Sequence, residues 1–211
     1  MVVLRDVPEI EGVADLMVLD AVGHGLPAAL LATAAIGAYR AGRRQELPLP
    51  EISALMDQVI AEQFPGSRFA TAVLARLDLD SGLLTWVNAG HPAPLVVRHS
   101  SLLPPHACPS SRPLGLQDGP ARECHLQLQP GDRVLLYTDG IVEARSPEGE
   151  FFGEERLADF VVRAEGAGDP PPETLRRLMH DVLEHQAGRL QDDASIVLAE
   201  WRTSREDQLV L

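Results

Sequence analysis

A change of hydrophobic period at residue 69 restricts the fold of this sequence more than any other feature. Residues 69–78 alternate between two sets of side chains, as the residues of a strand do. The turn segment Asp80-Ser81-Gly82 follows, and residues 83–87 form a second apolar run. Two runs joined by such a turn predict a β-hairpin, so part of the fold must be an antiparallel sheet.

Helical periods appear on both sides of this hairpin. Residues 27–44 are rich in Ala and Leu and predict a helix, in whose first turn Pro27 is tolerated. Residues 51–64 carry one apolar stripe at helical spacing. Two more helices are predicted at 154–164 and 173–188, the second with acidic and proline residues at its start.

The remaining apolar runs predict strands. A second hairpin is expected where Pro130-Gly131-Asp132 separates the runs 123–129 and 133–138. Residues 99–120, rich in Ser and Pro, predict a loop. Single strands are expected at 16–19, 94–98 and 194–201. Helices combined with antiparallel hairpins, without regular βαβ alternation, predict the α+β class.

Composition and charge exclude several kinds of protein. The chain has 211 residues, enough for one domain with a sizeable core, and its net charge of −13 argues against a nucleic-acid binder. No run approaches the roughly 18 apolar residues of a membrane span, and the N-terminus lacks a signal-peptide pattern. We therefore expect a cytoplasmic protein without a membrane partner. Its two cysteines, Cys108 and Cys124, are then expected to be reduced thiols rather than a disulfide.

Acidic residues recur at the ends of predicted strands. Asp20 ends the first apolar run, Asp139 ends the run 133–138, and Asp192 and Asp193 directly precede the last strand. A carboxylate at a strand end is held rigidly and yet open to solvent, and Mg²⁺ and Mn²⁺ prefer oxygen ligands. Asp-Gly pairs are also common turn residues, so spacing alone leaves both a metal site and ordinary turns open.

Taken together, several segments resemble the SpoIIE/RsbU-type branch of the PPM (protein phosphatase 2C-like) family. The match begins with an Asp-x-x-Gly-His-Gly motif that is followed by an Ala-rich helix, and it continues in the family's order from about residue 15 to residue 201. The matching segments are LDAVGHGLPAAL at 19–30, FATA at 69–72, WVNAGHPAP at 86–94, PLG at 113–115, GDRVLLYTDGIVEA at 131–144 and QDDAS at 191–195.

The resemblance implies a four-layer αββα sandwich of two antiparallel sheets flanked by helices, with two Mn²⁺ or Mg²⁺ ions at one end of the sheets. By motif position, Asp20 would bridge both ions and the carbonyl of Ala21 would bind one of them. Asp139 and one of Asp192 and Asp193 would complete the second ion's ligands, with Asp192 the better motif match. A hydroxide held by the ions would attack the phosphorus in line, without a phosphoenzyme.

The resemblance also implies a substrate and partners. His24 would act as general acid toward the leaving serine oxygen or would shape the Gly-His-Gly loop, and both roles stay open. In this branch the substrates resemble phosphoserine forms of anti-anti-sigma proteins, whose dephosphorylation releases a sigma factor. We therefore expect a phosphoprotein of that type as partner, and we keep a homodimer open.

The start of the chain departs from the family pattern. The family ordinarily has a Gly-Gly-Asp-x-(aromatic)-Asp segment on the strand before Asp20. Asp6 stands where the second Asp of that segment belongs, whereas the first would fall on Val3, and Met1 and Val2 replace the glycines. Either the chain begins inside the motif, which we expect and which would fit an upstream sensor domain, or the metal site is weakened.

These observations lead to one leading function and two alternatives. We expect residues 1–203 to form a phosphatase domain that hydrolyses phosphoserine or phosphothreonine, followed by a polar tail at 204–211. The first alternative is a catalytically impaired pseudophosphatase that binds a phosphoprotein or an anti-sigma partner. The second alternative is a hydrolase of small phosphates.

Some motif residues allow both a functional and a structural interpretation. Asn88, Gly90 and His91 follow a strand, and we expect a structural bend there, with the glycine admitting a close backbone approach. The aromatic residues Trp86, Tyr137 and Phe69 are expected in the core. Arg68 and Arg145 are candidates to meet a substrate phosphate, although a surface arginine is usually only solvated.

Overall fold

The computed structural model describes residues 2–6, 12–66, 68–104, 108–188 and 193–202, with the backbone alone for 2–6. The chain divides into two compact units, each assembled from two stretches of sequence. Unit one comprises Met1–Ala93 and Ala107–Gln127, and unit two comprises Pro94–His106 and Leu128–Leu211. The tail predicted at 204–211 lies outside the described residues.

Unit one is built on a five-stranded antiparallel sheet in the order β1-β2-β3-β4-β7. Its strands are β1 (Val2–Asp6), β2 (Val13–Ala21), β3 (Ala70–Asp78), β4 (Leu83–Ala89) and β7 (Glu123–Gln127). The hairpin predicted from the change of period is the β3–β4 pair. A strand also precedes β2, as the family pattern implied, and its Val3 pairs with Val18.

Two helices pack on this sheet through one apolar cluster. The helices are α1 (Leu26–Arg44) and α2 (Leu49–Gln63), and the periods at 27–44 and 51–64 predicted both. Each helix carries a proline in its first turn, where the missing N–H has no partner to lose. The cluster joins fully buried side chains from both helices with others from β2 and β3: Leu31, Tyr39, Ile52, Met56, Met17, Leu19 and Leu74.

Unit two has a four-stranded antiparallel sheet in the order β6-β5-β8-β9, together with three helices. Its strands are β5 (Leu95–Arg98), β6 (Ser101–Leu102), β8 (Arg133–Tyr137) and β9 (Ile196–Glu200). Its helices are α3 (Asp139–Val142), α4 (Glu154–Gly166) and α5 (Pro171–His185). The longer two helices were predicted, whereas α3 and β6 were not.

The predicted second hairpin is wrong in its pairing. Both of its strands exist, but β7 pairs with β4 in unit one, and β8 pairs with β5 and β9 in unit two. The buried carboxylate of Asp132 accepts hydrogen bonds from Arg98 of β5 and from the backbone N–H of Gln129. The N–H of Gly131 donates to the Trp201 carbonyl at 2.8 Å. Arg98 and Trp201, both distant in sequence, direct the segment away from a local hairpin.

The α+β class is confirmed, since two antiparallel sheets and their helices make up the fold. Among the residues that the structure describes, no helix has both the length and the apolar character needed to cross a membrane.

Candidate active site

Asp20 and Ala21 are the last two residues of β2. On the neighbouring strand β3, Thr71 lies directly opposite Asp20, and Ala70 lies opposite Ala21. Asp20 is half-buried and Ala21 is buried. The strand-like contact continues one residue further, because the N–H of Val22 donates to the Phe69 carbonyl at 3.0 Å. The backbone that carries Asp20 is therefore held by β3 on both sides of this residue.

His24 lies in a glycine turn between β2 and α1. Gly23 and Gly25 have φ values of 88° and 72°, in the left-handed region that glycine adopts without a steric penalty. The turn ends where the N–H of Ala29 donates to the Gly25 carbonyl at 3.1 Å and α1 begins. The His24 side chain is exposed. His24 and Asp20 thus belong to the same unit, with His24 inside the turn that follows the strand of Asp20.

In unit two, Asp139 and Asp193 belong to segments that are hydrogen-bonded to each other. Asp139 follows β8 as the first residue of α3, and Asp193 precedes β9. Between them the fully buried Thr138 makes two bonds to one residue: its N–H donates to the Ser195 carbonyl at 3.0 Å, and its Oγ1 accepts from the Ser195 N–H at 3.0 Å. Both carboxylates are exposed at this junction.

Gly140 makes this junction tight. A Cβ atom placed on Gly140 would overlap the carbonyl oxygen of Asp193, so any larger residue would push the two segments apart. The predicted ligands Asp139 and Asp193 are consequently brought together by backbone packing. The alternative ligand Asp192 lies outside the described residues.

A buried polar turn follows β4 in unit one. The Asn88 side chain accepts a hydrogen bond from the His91 N–H and donates one to the His91 carbonyl, both at 2.8 Å. The imidazole Nδ1 of His91 lies 2.7 Å from Thr71 Oγ1. A Cβ on Gly90 would lie 2.8 Å from the ring of Pro113, so the close approach expected at this glycine is present.

A disulfide joins Cys108 to Cys124, and the prediction of two reduced thiols is therefore wrong. Their Cα atoms lie 5.8 Å apart, within the range that a disulfide spans. Cys124 lies on β7, whose pairing with β4 places it opposite Trp86. Leu114, inside the closed loop, exchanges two backbone hydrogen bonds with Ala70 of β3. The sequence suggested no such approach because it depends on these non-local pairings.

The family described as "Stage II sporulation protein E (SpoIIE)" matches residues 11–202, which is most of the chain. The chain belongs to the SpoIIE family. The resemblance inferred from the ordered motifs is thereby confirmed.

Proteins similar to this SpoIIE-family chain include a phosphoserine phosphatase, a PP2C domain and a structure of RsbU and RsbW domains. Phosphoserine phosphatase RsbP of Bacillus subtilis is 26% identical over 88% of the chain and 45% of its own length. The SiaA-PP2C domain of Pseudomonas aeruginosa has a TM-score of 0.79 at 23% identity, over 92% of the chain and 78% of that domain. A Mycobacterium tuberculosis structure of RsbU and RsbW domains has a TM-score of 0.75 at 28% identity, over 95% of the chain and 55% of that structure.

The fold is therefore that of PP2C-type phosphatases. The chain spans 23% to 54% of the length of the curated relatives that it matches.

The donors of this SpoIIE-family chain suit a hard divalent cation. The predicted ligands that the structure describes offer oxygen only: three carboxylates, of Asp20, Asp139 and Asp193, and the backbone carbonyl of Ala21. Such a set suits Mg²⁺ or Mn²⁺ and lacks the sulfur and imidazole ligands that zinc favours. In neither unit do three or more described His, Cys, Asp or Glu residues form a metal-binding cluster.

The aromatic and basic candidates divide into core and surface residues. Trp86 and Tyr137 are buried, as expected, and Phe69 is partly buried. Burial and a hydrogen bond to Glu154 raise the pKa of Tyr137. Arg68 is exposed, and the guanidinium of Arg145 stacks on an exposed phenylalanine ring, 4.2 Å from its centroid. The positions of these two arginines do not test whether either one meets a substrate phosphate.

Sequence reasoning missed the two threonines next to the candidate ligands. Thr138 ties the Asp139 segment to β9, and Thr71 lies opposite Asp20. A signal was available, because a hydroxyl that is predicted within a buried strand must find a hydrogen-bond partner. The identity of those partners, Ser195 and His91, depends on contacts that are distant in sequence.

Proposed function

We propose that this chain is a Mn²⁺- or Mg²⁺-dependent protein phosphatase that hydrolyses phosphoserine on a regulator of the anti-anti-sigma type. Its SpoIIE-family membership and its phosphoserine phosphatase relatives support the reaction class. The observation that carries the metal assignment is the Asp139–Asp193 junction. There Thr138 and Gly140 hold two exposed carboxylates on adjoining backbone segments.

In this proposal each candidate site residue has a defined task. Asp20, the Ala21 carbonyl, Asp139 and one of Asp192 and Asp193 bind the cations. The bound ions would supply Lewis-acid activation of water and neutralise charge on the phosphate. His24 donates a proton to the serine oxygen as it leaves, a task that its exposed position in a short turn permits. Proton delivery matters because a serine alkoxide is a poor leaving group.

The test is hydrolysis of p-nitrophenyl phosphate and of a phosphorylated anti-anti-sigma protein by the full chain with added Mn²⁺. We expect activity that EDTA removes and that returning Mn²⁺ restores. Asp139→Asn should lower it by at least about a hundredfold, since loss of a ligand costs more than loss of its supporting residues. Asp159→Asn, an exposed position on α4, is the matched control and should leave the rate unchanged. Absence of Mn²⁺-dependent hydrolysis would refute the proposal.

One observation favours a second candidate, a pseudophosphatase that binds its phosphoprotein without turnover. β1 is present and paired with β2, yet valine stands at position 3, where the family pattern would place a carboxylate. This candidate predicts that the chain retains the phosphorylated regulator on a column more strongly than the unphosphorylated form, and that it releases no phosphate over hours. Release of phosphate on mixing would exclude it.

A further inference from the structure

His91 is a buried histidine to which the proposed reaction assigns no task. Its side chain is 6% exposed, and the adjacent Asn88 is 4% exposed. Asn88 holds the His91 backbone from both sides, through its N–H and through its carbonyl, each at 2.8 Å. Burial of the side chain and two hydrogen bonds to the backbone leave His91 little freedom to move.

The loop closed by the disulfide completes the hydrogen bonding of this turn. Ser110 Oγ accepts from the Gly90 N–H at 3.0 Å, and it lies 3.1 Å from each of two acceptors, the Asn88 carboxamide oxygen and the Ser111 carbonyl oxygen. The N–H of Ser111 donates to the Asn88 backbone carbonyl at 2.8 Å. Asn88 and His91 are the buried members of this network, and buried polar groups with their partners in place are held in one arrangement.

The imidazole is directed at the residue beside Asp20. His91 Nδ1 lies 2.7 Å from Thr71 Oγ1, and Thr71 is directly opposite Asp20 on the adjacent antiparallel strand. Directly opposite residues share one face of a sheet, with Cβ atoms about 5 Å apart. The hydrogen bond therefore fixes the side-chain rotamer of the nearest cross-strand neighbour of a candidate ligand.

We propose that His91 is a positioning residue: through Thr71 it sets the orientation of the Asp20 carboxylate for cation binding. This inference rests on the proposed function, because Asp20 is a ligand only in that proposal. Residues that orient a ligand affect metal affinity without touching the metal, typically by about 10- to 100-fold. A histidine that serves only the packing of the turn would affect stability but not metal affinity.

The same sheet contains a matched control. Thr85 Oγ1 lies 3.2 Å from the Nδ1 atom of His125, and the two residues are opposite each other on β4 and β7. This pair aligns with Arg76 and Asp15, five residues along β2 from Asp20, and so lies about 17 Å from Asp20 along the strand direction alone. It repeats the threonine–histidine hydrogen bond at a place where no ligand is proposed.

The experiment measures Mn²⁺ binding to the full chain by isothermal titration calorimetry, together with the thermal unfolding midpoint. Thr71→Val and His91→Leu should each raise the Kd by about 10- to 100-fold. Thr71→Ser and His91→Asn, which keep a hydrogen-bonding atom in place, should recover much of that loss. Thr85→Val should leave the Kd unchanged. An unchanged Kd in Thr71→Val would overturn the inference.

A second readout does not require a bound metal. The ¹³C resonance of the Asp20 carboxyl, assigned by its loss in Asp20→Asn, should move in Thr71→Val and His91→Leu and stay in place in Thr85→Val. If the parent chain binds no Mn²⁺, the proposed metal site fails, and this resonance still decides whether His91 and Thr71 orient the Asp20 carboxylate. An Asp20 resonance that stays in place in Thr71→Val would refute the positioning role.

Discussion

The two units hold their candidate ligands by different means. In unit one, Asp20 lies near the end of a strand opposite Thr71, whose hydroxyl contacts the His91 side chain, and the Asn88 side chain binds the His91 backbone. In unit two, Asp139 and Asp193 occupy short segments fixed chiefly by backbone contact through Thr138 and Gly140. Side-chain contacts can be removed one at a time by substitution, whereas the close backbone contact at Gly140 leaves no room for an added side chain.

Removing the disulfide tests the support in unit one, because the loop that the disulfide closes contains Ser110, which contacts Asn88. This change should have the largest effect. Cys108 and Cys124 are separated by 16 residues, and a closed loop of that size contributes about 3 kcal/mol to the free energy of unfolding. We expect a Cys108→Ser, Cys124→Ala double variant to lose about that amount in urea denaturation. Hydrogen exchange should rise in the loop between them and remain unchanged in β8 and β9. Equal midpoints for the oxidised and reduced parent chain would contradict this.

Gly140→Ala tests the backbone contact between Gly140 and Asp193 in unit two. The added Cβ would overlap the Asp193 carbonyl, and a displacement of about 1 Å in a catalytic group can cost a hundredfold in rate. We expect about that loss in the phosphatase assay. Gly119→Ala is the control, because no atom lies within 4 Å of the Cβ it would add. Full activity in Gly140→Ala would show that the junction can relax and that the contrast between the units is smaller than we infer.

Thr138→Val tests a single hydrogen bond of unit two, from the Ser195 N–H to Thr138 Oγ1. The change keeps the shape of the side chain but leaves the Ser195 N–H without its Oγ1 partner in a buried place. A buried donor left without a partner costs about 2 kcal/mol, which should appear as a lower free energy of unfolding. Thr138→Ser retains the hydroxyl and should recover most of the loss. Equal stability of the Val and Ser variants would show that Oγ1 is dispensable.

Tyr137→Phe should have the smallest effect, with a distinctive dependence on pH. Tyr137 donates a hydrogen bond to Glu154 at 2.7 Å, and its removal should cost about 1 kcal/mol at neutral pH. Burial, aided by Glu154, raises its pKa in the folded state above the ordinary value of 10.0. This contribution is complete below pH 10.0 and declines as the pH rises further, because the unfolded chain ionises first.

The parent chain should therefore lose stability above that pH more steeply than Tyr137→Phe. Urea denaturation of both proteins across the alkaline range measures the difference. Parallel curves would show that Tyr137 is not the group responsible.

Local patterns in the sequence predicted most of the elements but not all of their partners. The helices α1, α2, α4 and α5 follow from apolar spacing, and the β3–β4 hairpin follows from alternation around a short turn. The turn at Pro130-Gly131-Asp132 misled the pairing of β7 and β8, because Asp132 binds Arg98, 34 residues away. Local composition contains no information about a partner at that distance.

The candidate site shows the same division. The ordered family motifs predicted Asp20, Asp139 and one of Asp192 and Asp193 as ligands. The structure places Asp20 near the end of β2, Asp139 at the start of α3, and Asp193 three residues before β9. The disulfide and the Thr71–His91 contact were not predictable, since both require segments that the sheet pairing of unit one brings together. Candidate ligands could thus be predicted from sequence motifs, whereas the residues that hold their backbones could not.

The interleaving of the two units along the chain has a consequence for how this protein can be divided. Because each unit is assembled from two separated stretches, neither can be excised as one contiguous fragment. A fragment ending at Gln127 would contain all of unit one, but it would also carry β5 without its partner β8. An unpaired strand edge invites self-association, so such a fragment is expected to aggregate. Recombination or gene fission within the stretch that encodes β1 to β9 would separate strands of the same sheet. We therefore expect this stretch to be inherited as one piece.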